Sequence, residues 1–495
     1  MKRAIGSIVL IVMMITSLNV YAEEGEMGHM GGVSSGSNLP KTIEKYVTIP
    51  SSTTNTYVYK EVVFISGAPL VFEGTIQVSK DTSDIEGTTS GSYSEDYEIE
   101  ATNADEVGTL ERSLSFTTYY RMIEGEFKRQ IVTSSELDSW SEDITIGDAT
   151  YTLDEDMSTF TMAGVTDMTP GVDYFETSVS YVARYLDGDA QPTLLTANGS
   201  NYGYSQPWSK IETQTRDIEV TLAGDEGDQL AATTESVLEA KKTIYYDETE
   251  PFPISFDGTY NQRMEREGTL SFRILTSHTD LDEGGYEGSV VVYSANQIEK
   301  LPIPENLDFI EGHWAEDDFK QLYSMEIFTD LPHQGMQYEA INRGDFIKAL
   351  CLAMNIDTSS YEDGTDVIFG DVQPDHPQYP YIMAAYDKKL IKGTGANFDV
   401  DRPINREEAF VVYIRVIGLE RLGVTESPVT PFVDDTDIGS WAKKEIMAGY
   451  KLGIIQGDSQ GNVKPKQWIS KSEAAAIINR LINYLREDIG NDYRK

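Results

Sequence analysis

One cysteine, five histidines and 39 basic residues against 82 acidic ones leave several classes of protein without their raw material. A lone cysteine cannot close an internal disulfide, so the stability of this chain rests on packing. Cys351 stands in an apolar helical stretch and reads as a small core residue. A formal net charge of −43 sets the surface against nucleic acid and anionic lipid, and both are excluded as partners. The same charge favours solubility and attracts cations such as calcium. Long apolar runs are also missing. Beyond the N-terminus none reaches the ~20 residues of a membrane span.

The N-terminus itself reads as an export signal, residues 1–22. Met1-Lys2-Arg3 is basic, Ile5 to Met14 is largely apolar, and Val20-Tyr21-Ala22 offers a small-residue cleavage site before Glu23-Glu24. No cysteine follows that site to carry a lipid. If the mature protein stays on a cell, something other than lipid or a membrane helix must hold it.

A length of 495 residues with 40% hydrophobic content implies two or more globular domains. Residues 23–43 are Gly-, Ser- and Met-rich and read as a flexible mature N-terminus. From 44 to 298 the texture is β. Tyr57 to Ile65, Thr75 to Val78, Leu114 to Tyr120, Phe127 to Thr133, Ser178 to Leu186, Asp217 to Leu222, Thr269 to Leu275 and Ser289 to Tyr293 are rich in β-branched and aromatic residues. Short strands in this number predict a sandwich-like all-β region of one or two units, with a helix at Gln229 to Lys242. Pro69-Leu70-Val71-Phe72-Glu73-Gly74-Thr75 echoes Pro253-Ile254-Ser255-Phe256-Asp257-Gly258-Thr259, a match short enough to arise by chance. Leu301-Pro302-Ile303-Pro304 marks a linker over 299–307.

The β region shows no catalytic signature. His278 is its only histidine, it has no cysteine, and no Gly-x-Ser-x-Gly elbow is present. Paired carboxylates of a glycosidase have no spacing that a sequence reveals. The expectation is a chain that is not an enzyme, without cofactors. Calcium enters only through acidic turns such as Asp187-Gly188-Asp189, which read rather as solvated turns.

After the linker the hydrophobic period changes from two to about 3.6, and the chain repeats three times. Ile382-Met383-Ala384-Ala385-Tyr386 matches Ile446-Met447-Ala448-Gly449-Tyr450. Leu390 and Ile454 follow at one fixed offset, and Gly393 and Gly457 at another. Copy one has Phe319, Ile327 and Asp330 at these places. Each copy then opens a second helix, at Ile341-Asn342-Arg343-Gly344-Asp345, Ile404-Asn405-Arg406-Glu407-Glu408 and Ile469-Ser470-Lys471-Ser472-Glu473. Asn342, Asn405 and Ser470 are N-cap types with an acid three residues on, a capping box or its relative. Arg343, Arg406 and Lys471 in the first turn oppose the helix dipole. Either they build an anion site with free helix-terminal amides, or each pairs with a nearby carboxylate.

These motifs resemble the S-layer homology family. Phe309-Ile310-Glu311 with His313-Trp314-Ala315, Phe369-Gly370-Asp371, and Phe432-Val433-Asp434 with Trp441-Ala442 resemble its copy openings. Gly453-Ile454-Ile455-Gln456-Gly457 resembles its middle motif. The resemblance implies copies at 308–366, 367–424 and 429–488, arranged as an all-α trio of helix–loop–helix prongs around a central bundle. It implies a secreted protein of the cell wall or S-layer, bound to secondary cell-wall polysaccharide, often pyruvylated, in grooves between prongs. The polysaccharide-binding residues implied are Arg343, Arg406, Lys471, Asp371, Asp434, Trp314, Trp441, Gly393 and Gly457. The two tryptophans either stack on sugar or pack the core, and the two glycines fit turns of positive φ. The expected role is a structural or adhesive β domain on a wall anchor. The alternatives are a lattice subunit contacting other S-layer subunits, or a wall-anchored glycan hydrolase.

Overall fold

The computed structural model describes residues 32–35, 52–82, 89–103, 108–125, 129–188, 191–223, 228–247, 259–277, 287–304, 306–393, 396–423 and 428–492. The expected export signal, His278, Asp189 and nearly all of the second Pro-Ile-Ser-Phe echo lie outside them.

Among the described residues, the N-terminal region is one antiparallel sheet of fourteen strands. In chain order these are β1 (Val33–Ser35), β2 (Ser52–Val63), β3 (Leu70–Asp81), β4 (Ser90–Asn103), β5 (Gly108–Glu124), β6 (Arg129–Ile146) and β7 (Ala149–Leu153). Then come β8 (Thr159–Met168), β9 (Asp173–Leu186), β10 (Thr193–Gln206), β11 (Ser209–Thr221), β12 (Gln229–Asp247), β13 (Thr259–Ser277) and β14 (Glu287–Leu301). Sequential strands are neighbours throughout, except that β8 and β7 both bridge β6 to β9. The sheet coils until its ends meet. β1 lies against β13 and β14, and Phe64, just beyond β2, packs edge-on against Phe272 of β13 at 6.1 Å.

This corrects four expectations. The region is a single coiled sheet rather than a sandwich of two. Gln229 to Lys242 belongs to strand β12, not a helix. Its alternation of buried Leu230, Ala232, Thr234, Ser236 and Leu238 is strand-like, and pairing on both sides overrides the helix propensity of Leu, Glu and Ala. Val33–Ser35, inside the segment expected to be flexible, pairs with Val58, Tyr59 and Lys60. β14 also carries the sheet to Leu301, into the expected linker.

Alternation divides the sheet into an inner and an outer face. Along β5, Leu110, Arg112, Leu114, Phe116 and Thr118 point inward, while Thr109, Glu111 and Ser113 face out. Inside, Phe116, Trp140, Phe160 and Tyr181 pack edge-to-face and stacked. Among them lies a buried ion triad. Arg112 reaches Glu61 at 2.6 and 3.1 Å and Glu142 at 2.7 Å. Tyr59 donates to Glu61 at 2.6 Å, and the Trp140 indole donates to Glu142 at 3.1 Å. Burial works against the Arg112 charge, but Glu142 and Glu61 outweigh it and hold the guanidinium protonated.

The C-terminal region is helical, and among the described residues its helices follow in pairs along the expected copies. Copy one has α1 (Glu316–Ser324) and α2 (Arg343–Ala353), copy two α3 (Tyr379–Asp387) and α4 (Arg406–Ile417), and copy three α5 (Lys443–Lys451) and α6 (Lys471–Asn483). A π turn, Tyr484–Asp488, extends α6. Cys351 is buried on α2, and burial pushes its thiol up to about 12. No helix among the described residues is long and apolar enough to cross a membrane.

The β region sits on the C-terminal ends of the second helices, where carbonyls lack partners within the helix. The Trp208 indole donates to Ala353 O at 2.9 Å, Gly171 N–H to Val416 O at 3.0 Å, and Tyr174 Oη to Ile417 O at 2.8 Å. Gln206 and Ser209 donate to Leu485 O at 2.7 and 2.9 Å. Val172, Tyr204 and Trp208 join the core of the helical region.

Two outcomes are expected. Arg112→Leu leaves two carboxylates buried without their cation and lowers unfolding free energy by about 3–5 kcal/mol; a loss below about 1 kcal/mol in urea unfolding would show the triad to be unimportant. Trp208→Phe keeps most of the ring but orphans the Ala353 carbonyl, at a cost of about 1–3 kcal/mol. Thermal unfolding of the full chain measures it, and an unchanged midpoint counts against the capping role.

Candidate functional site

The segments that open the second helices form a closed ring. Ile341 N–H donates to Ile469 O, Ile469 N–H to Ile404 O, and Ile404 N–H to Ile341 O, at 3.0–3.1 Å. All three isoleucines are buried. Each following residue caps its helix. Asn342 accepts from Asp345 N–H at 2.7 Å, Asn405 from Glu408 N–H at 3.0 Å, and Ser470 from Glu473 N–H at 3.2 Å. Glu408 and Glu473 return the bond and complete capping boxes. Asp345 is one methylene shorter and instead accepts from Gln378 at 2.6 Å.

The helix-terminal amides, free for an anion in one of the two readings, are occupied. Arg343 N–H donates to Arg402 O, Gly344 N–H to Val400 O, Arg406 N–H to Gln467 O, Glu407 N–H to Pro465 O, and Lys471 N–H to Glu339 O. Each helix start is thus seated on the loop of the next copy, in the cyclic order one, two, three, one. Three seams result, and any anion site in them must be built from side chains.

The expected cations stand at these seams. Arg343 donates Nε to Phe398 O, lies over the Phe398 ring and pairs with Glu408 at 3.0 Å. Arg406 donates Nε to Val463 O, lies over Phe410 and pairs with Glu473 at 3.3 Å. Burial lowers the pKa of both guanidinium groups against the pull of Glu408 and Glu473. Lys471 pairs with Asp330 at 2.7 Å and Glu339 at 3.6 Å. The cations therefore do pair with carboxylates, as one of the two readings required.

Asp371 and Asp434 act through the backbone. Asp371 accepts from the N–H groups of Phe398, Asp399 and Val400 at 2.7, 2.6 and 3.0 Å. Asp434 accepts from Val463 and Lys464 at 2.9 and 2.7 Å. They fasten the loops whose carbonyls hold Arg343 and Arg406. Trp314 and Trp441 are 64% and 51% exposed, which removes the core-packing alternative. Trp441 lies over Gly439, whose N–H donates to Glu407; Trp314 stacks beside His313, which meets Tyr338. Gly393 and Gly457 do not have positive φ. A side chain at Gly393 would strike the Phe369 ring at 2.3 Å, and one at Gly457 the Gly461 backbone at 2.9 Å. The left-handed turn belongs to Glu326, Lys389 and Gly453.

Beside the copy two–copy three seam lies an open depression of about 410 Å³, lined by Asp434, Asp437, Asn462, Lys464, Lys466 and Gln467. Lys466 also pairs with Glu407. Exposed Trp468 adjoins it, at the ring position that Ala340 and Pro403 hold in the other copies. Sequence reasoning missed Lys466, Trp468 and Arg402, which pairs with Glu408 at 2.6 Å. Aligning the copies on the three ring isoleucines would have found the first two.

The Asp371 carboxylate yields a pH prediction. Burial raises its pKa, but the backbone N–H groups of the 398–400 loop outweigh burial and hold it below the ordinary value. Its contribution is then complete above the unfolded value of about 3.9 and lost as pH falls through the lower folded value. Asp371→Asn should be less stable than the native chain at neutral pH, and the gap should close in acid. A gap independent of pH in thermal unfolding would refute this.

Comparison with known proteins now bears on this geometry. The S-layer homology domain matches residues 368–410 and 431–475, within copies two and three. An exoglucanase XynX of Acetivibrio thermocellus is 28% identical over 241 residues, covering 46% of this chain and 21% of the relative. An endoglucanase of a Bacillus species is 33% identical over 122 residues, 24% of this chain and 12% of the relative. A surface-layer 125 kDa protein of Lysinibacillus sphaericus is 26% identical over 121 residues, 24% of this chain and 10% of the relative. The chain thus spans about a fifth or less of each of these relatives. The expectation of a non-enzyme is corrected by these names. Two of the relatives are glycan-hydrolase enzymes, so likeness in this chain does not mark a protein without catalytic activity. Residues 368–410 and 431–475 match the S-layer homology domain, and this match together with the surface-layer relative supports a cell-wall-anchored location at the surface.

Proposed function

We propose that the three helical copies hold the chain non-covalently on an acidic secondary cell-wall polysaccharide, probed best as a pyruvylated one, and display the coiled β sheet outward. The observation that carries this reading is the depression at the copy two–copy three seam, with Lys464 and Lys466 in its wall. Arg406 adjoins it, donating its N–H to Gln467 O and its Nε to Val463 O. Exposed tryptophan offers a flat apolar face to a sugar ring. Arg343 and Arg406 are cations that burial disfavours despite a carboxylate partner each, so a further carboxylate from a ligand relieves that penalty. Asp371 and Asp434 serve as positioning residues, holding the loops on which those arginines lie.

A wall-anchored glycan hydrolase is a second reading, favoured by the names of the relatives. Glu61 and Glu142 do not supply its acid pair, because Arg112 bridges them inside the sheet and both are buried. Assembly with other S-layer subunits remains compatible with either reading.

Co-sedimentation of the full chain with purified cell walls tests the anchor, before and after acid extraction of the secondary polysaccharide. Binding should vanish on extraction. Arg343→Ala/Arg406→Ala should weaken it by about tenfold or more, the loss of one or two charge-assisted contacts. Binding that survives both treatments would reject polysaccharide anchoring.

A further inference from the structure

The three seams are not equivalent, and one residue makes the difference. After the first helix of each copy the chain turns in the same way. Ile327 N–H donates to Leu322 O, Leu390 N–H to Ala385 O, and Ile454 N–H to Gly449 O, at 2.9–3.0 Å. Three residues beyond these stand Asp330, Gly393 and Gly457. Copy one therefore projects a carboxylate where the others have no side chain.

That carboxylate is engaged. Asp330 Oδ2 lies 2.7 Å from Lys471 Nζ, and Tyr323 Oη donates to Oδ1 at 3.3 Å. Glu339 adds a second carboxylate 3.6 Å from the same ammonium. At the copy three–copy one seam, then, one ammonium stands between two carboxylates, of which Glu339 also meets His333 Nε2 at 2.8 Å. The copy one–copy two seam has the reverse: Glu408 stands between two cations, Arg343 at 3.0 Å and Arg402 at 2.6 Å. A point-charge ammonium also lacks the planar fork with which a guanidinium serves two acceptors at once. An incoming acid would have to displace Asp330 from Lys471 and then sit beside two like charges.

We infer that Asp330 is an intramolecular stand-in for the ligand's acid group, closing the copy three–copy one seam to acidic sugars. The inference rests on the groove reading above, and it limits the chain to two acid-binding seams rather than three.

Calorimetric titration of the full chain with a synthetic pyruvyl-ketal hexosaminide tests it, with the same sugar lacking the ketal as control. The native chain should bind two equivalents. Asp330→Gly with Lys471→Arg should bind three, and Asp330→Asn, which keeps the contact with Tyr323 while removing the charge, should also gain the third. Three equivalents on the native chain would overturn the inference. So would two equivalents on both variants with native thermal midpoints. Absence of binding by every form would overturn the groove reading, and this assignment with it.

Discussion

Three backbone hydrogen bonds organise the helical end of this molecule. The ring through Ile341, Ile404 and Ile469 gives each buried isoleucine one donor and one acceptor in the neighbouring copies. Buried backbone groups must be paired, and here the pairing can be completed only when all three copies are present. The ring therefore makes the copies mutually dependent. It also sets each N-cap at the same angle to the next copy's loop, so the cations that follow fall at the seams.

The far ends of the second helices carry the complementary need. Their last carbonyls have no donors within the helix, and Trp208, Gly171, Tyr174, Gln206 and Ser209 of the sheet supply them. The π turn at Tyr484–Asp488 coincides with the carbonyl of Leu485 that two of these donors share. Ring at one end and sheet at the other make the second helices the struts that join the helical copies to the β region. The seams and the sheet lie at opposite ends of the same helices.

The excess of acid takes different forms in the two halves. Outside the sheet it is spread over solvent-facing positions such as Glu111, where it costs little. Inside, each carboxylate of the Glu61–Arg112–Glu142 triad is held by a cation and a ring donor. At the seams, carboxylates are structural. Asp371 and Asp434 hold loops through backbone N–H groups, and Glu408 and Glu473 close capping boxes while pairing with arginines of the preceding copy.

Much of this was legible along the chain. The period of the repeat, its N-caps and the cation after each cap are local patterns, and local patterns report helix starts directly. Alternation likewise identified β structure in most strands, although helix-forming Leu, Glu and Ala disguised β12. What no local pattern reveals is pairing at a distance. That the sheet coils into one layer, that Arg112 unites Glu61 with Glu142, and that the helix-terminal amides are taken by the next copy's carbonyls all depend on contacts between residues from 30 to 208 positions apart. Asp330 is the sharpest instance. In sequence it is a departure from glycine, and only the fold, by closing copy three onto copy one, sets it 2.7 Å from Lys471.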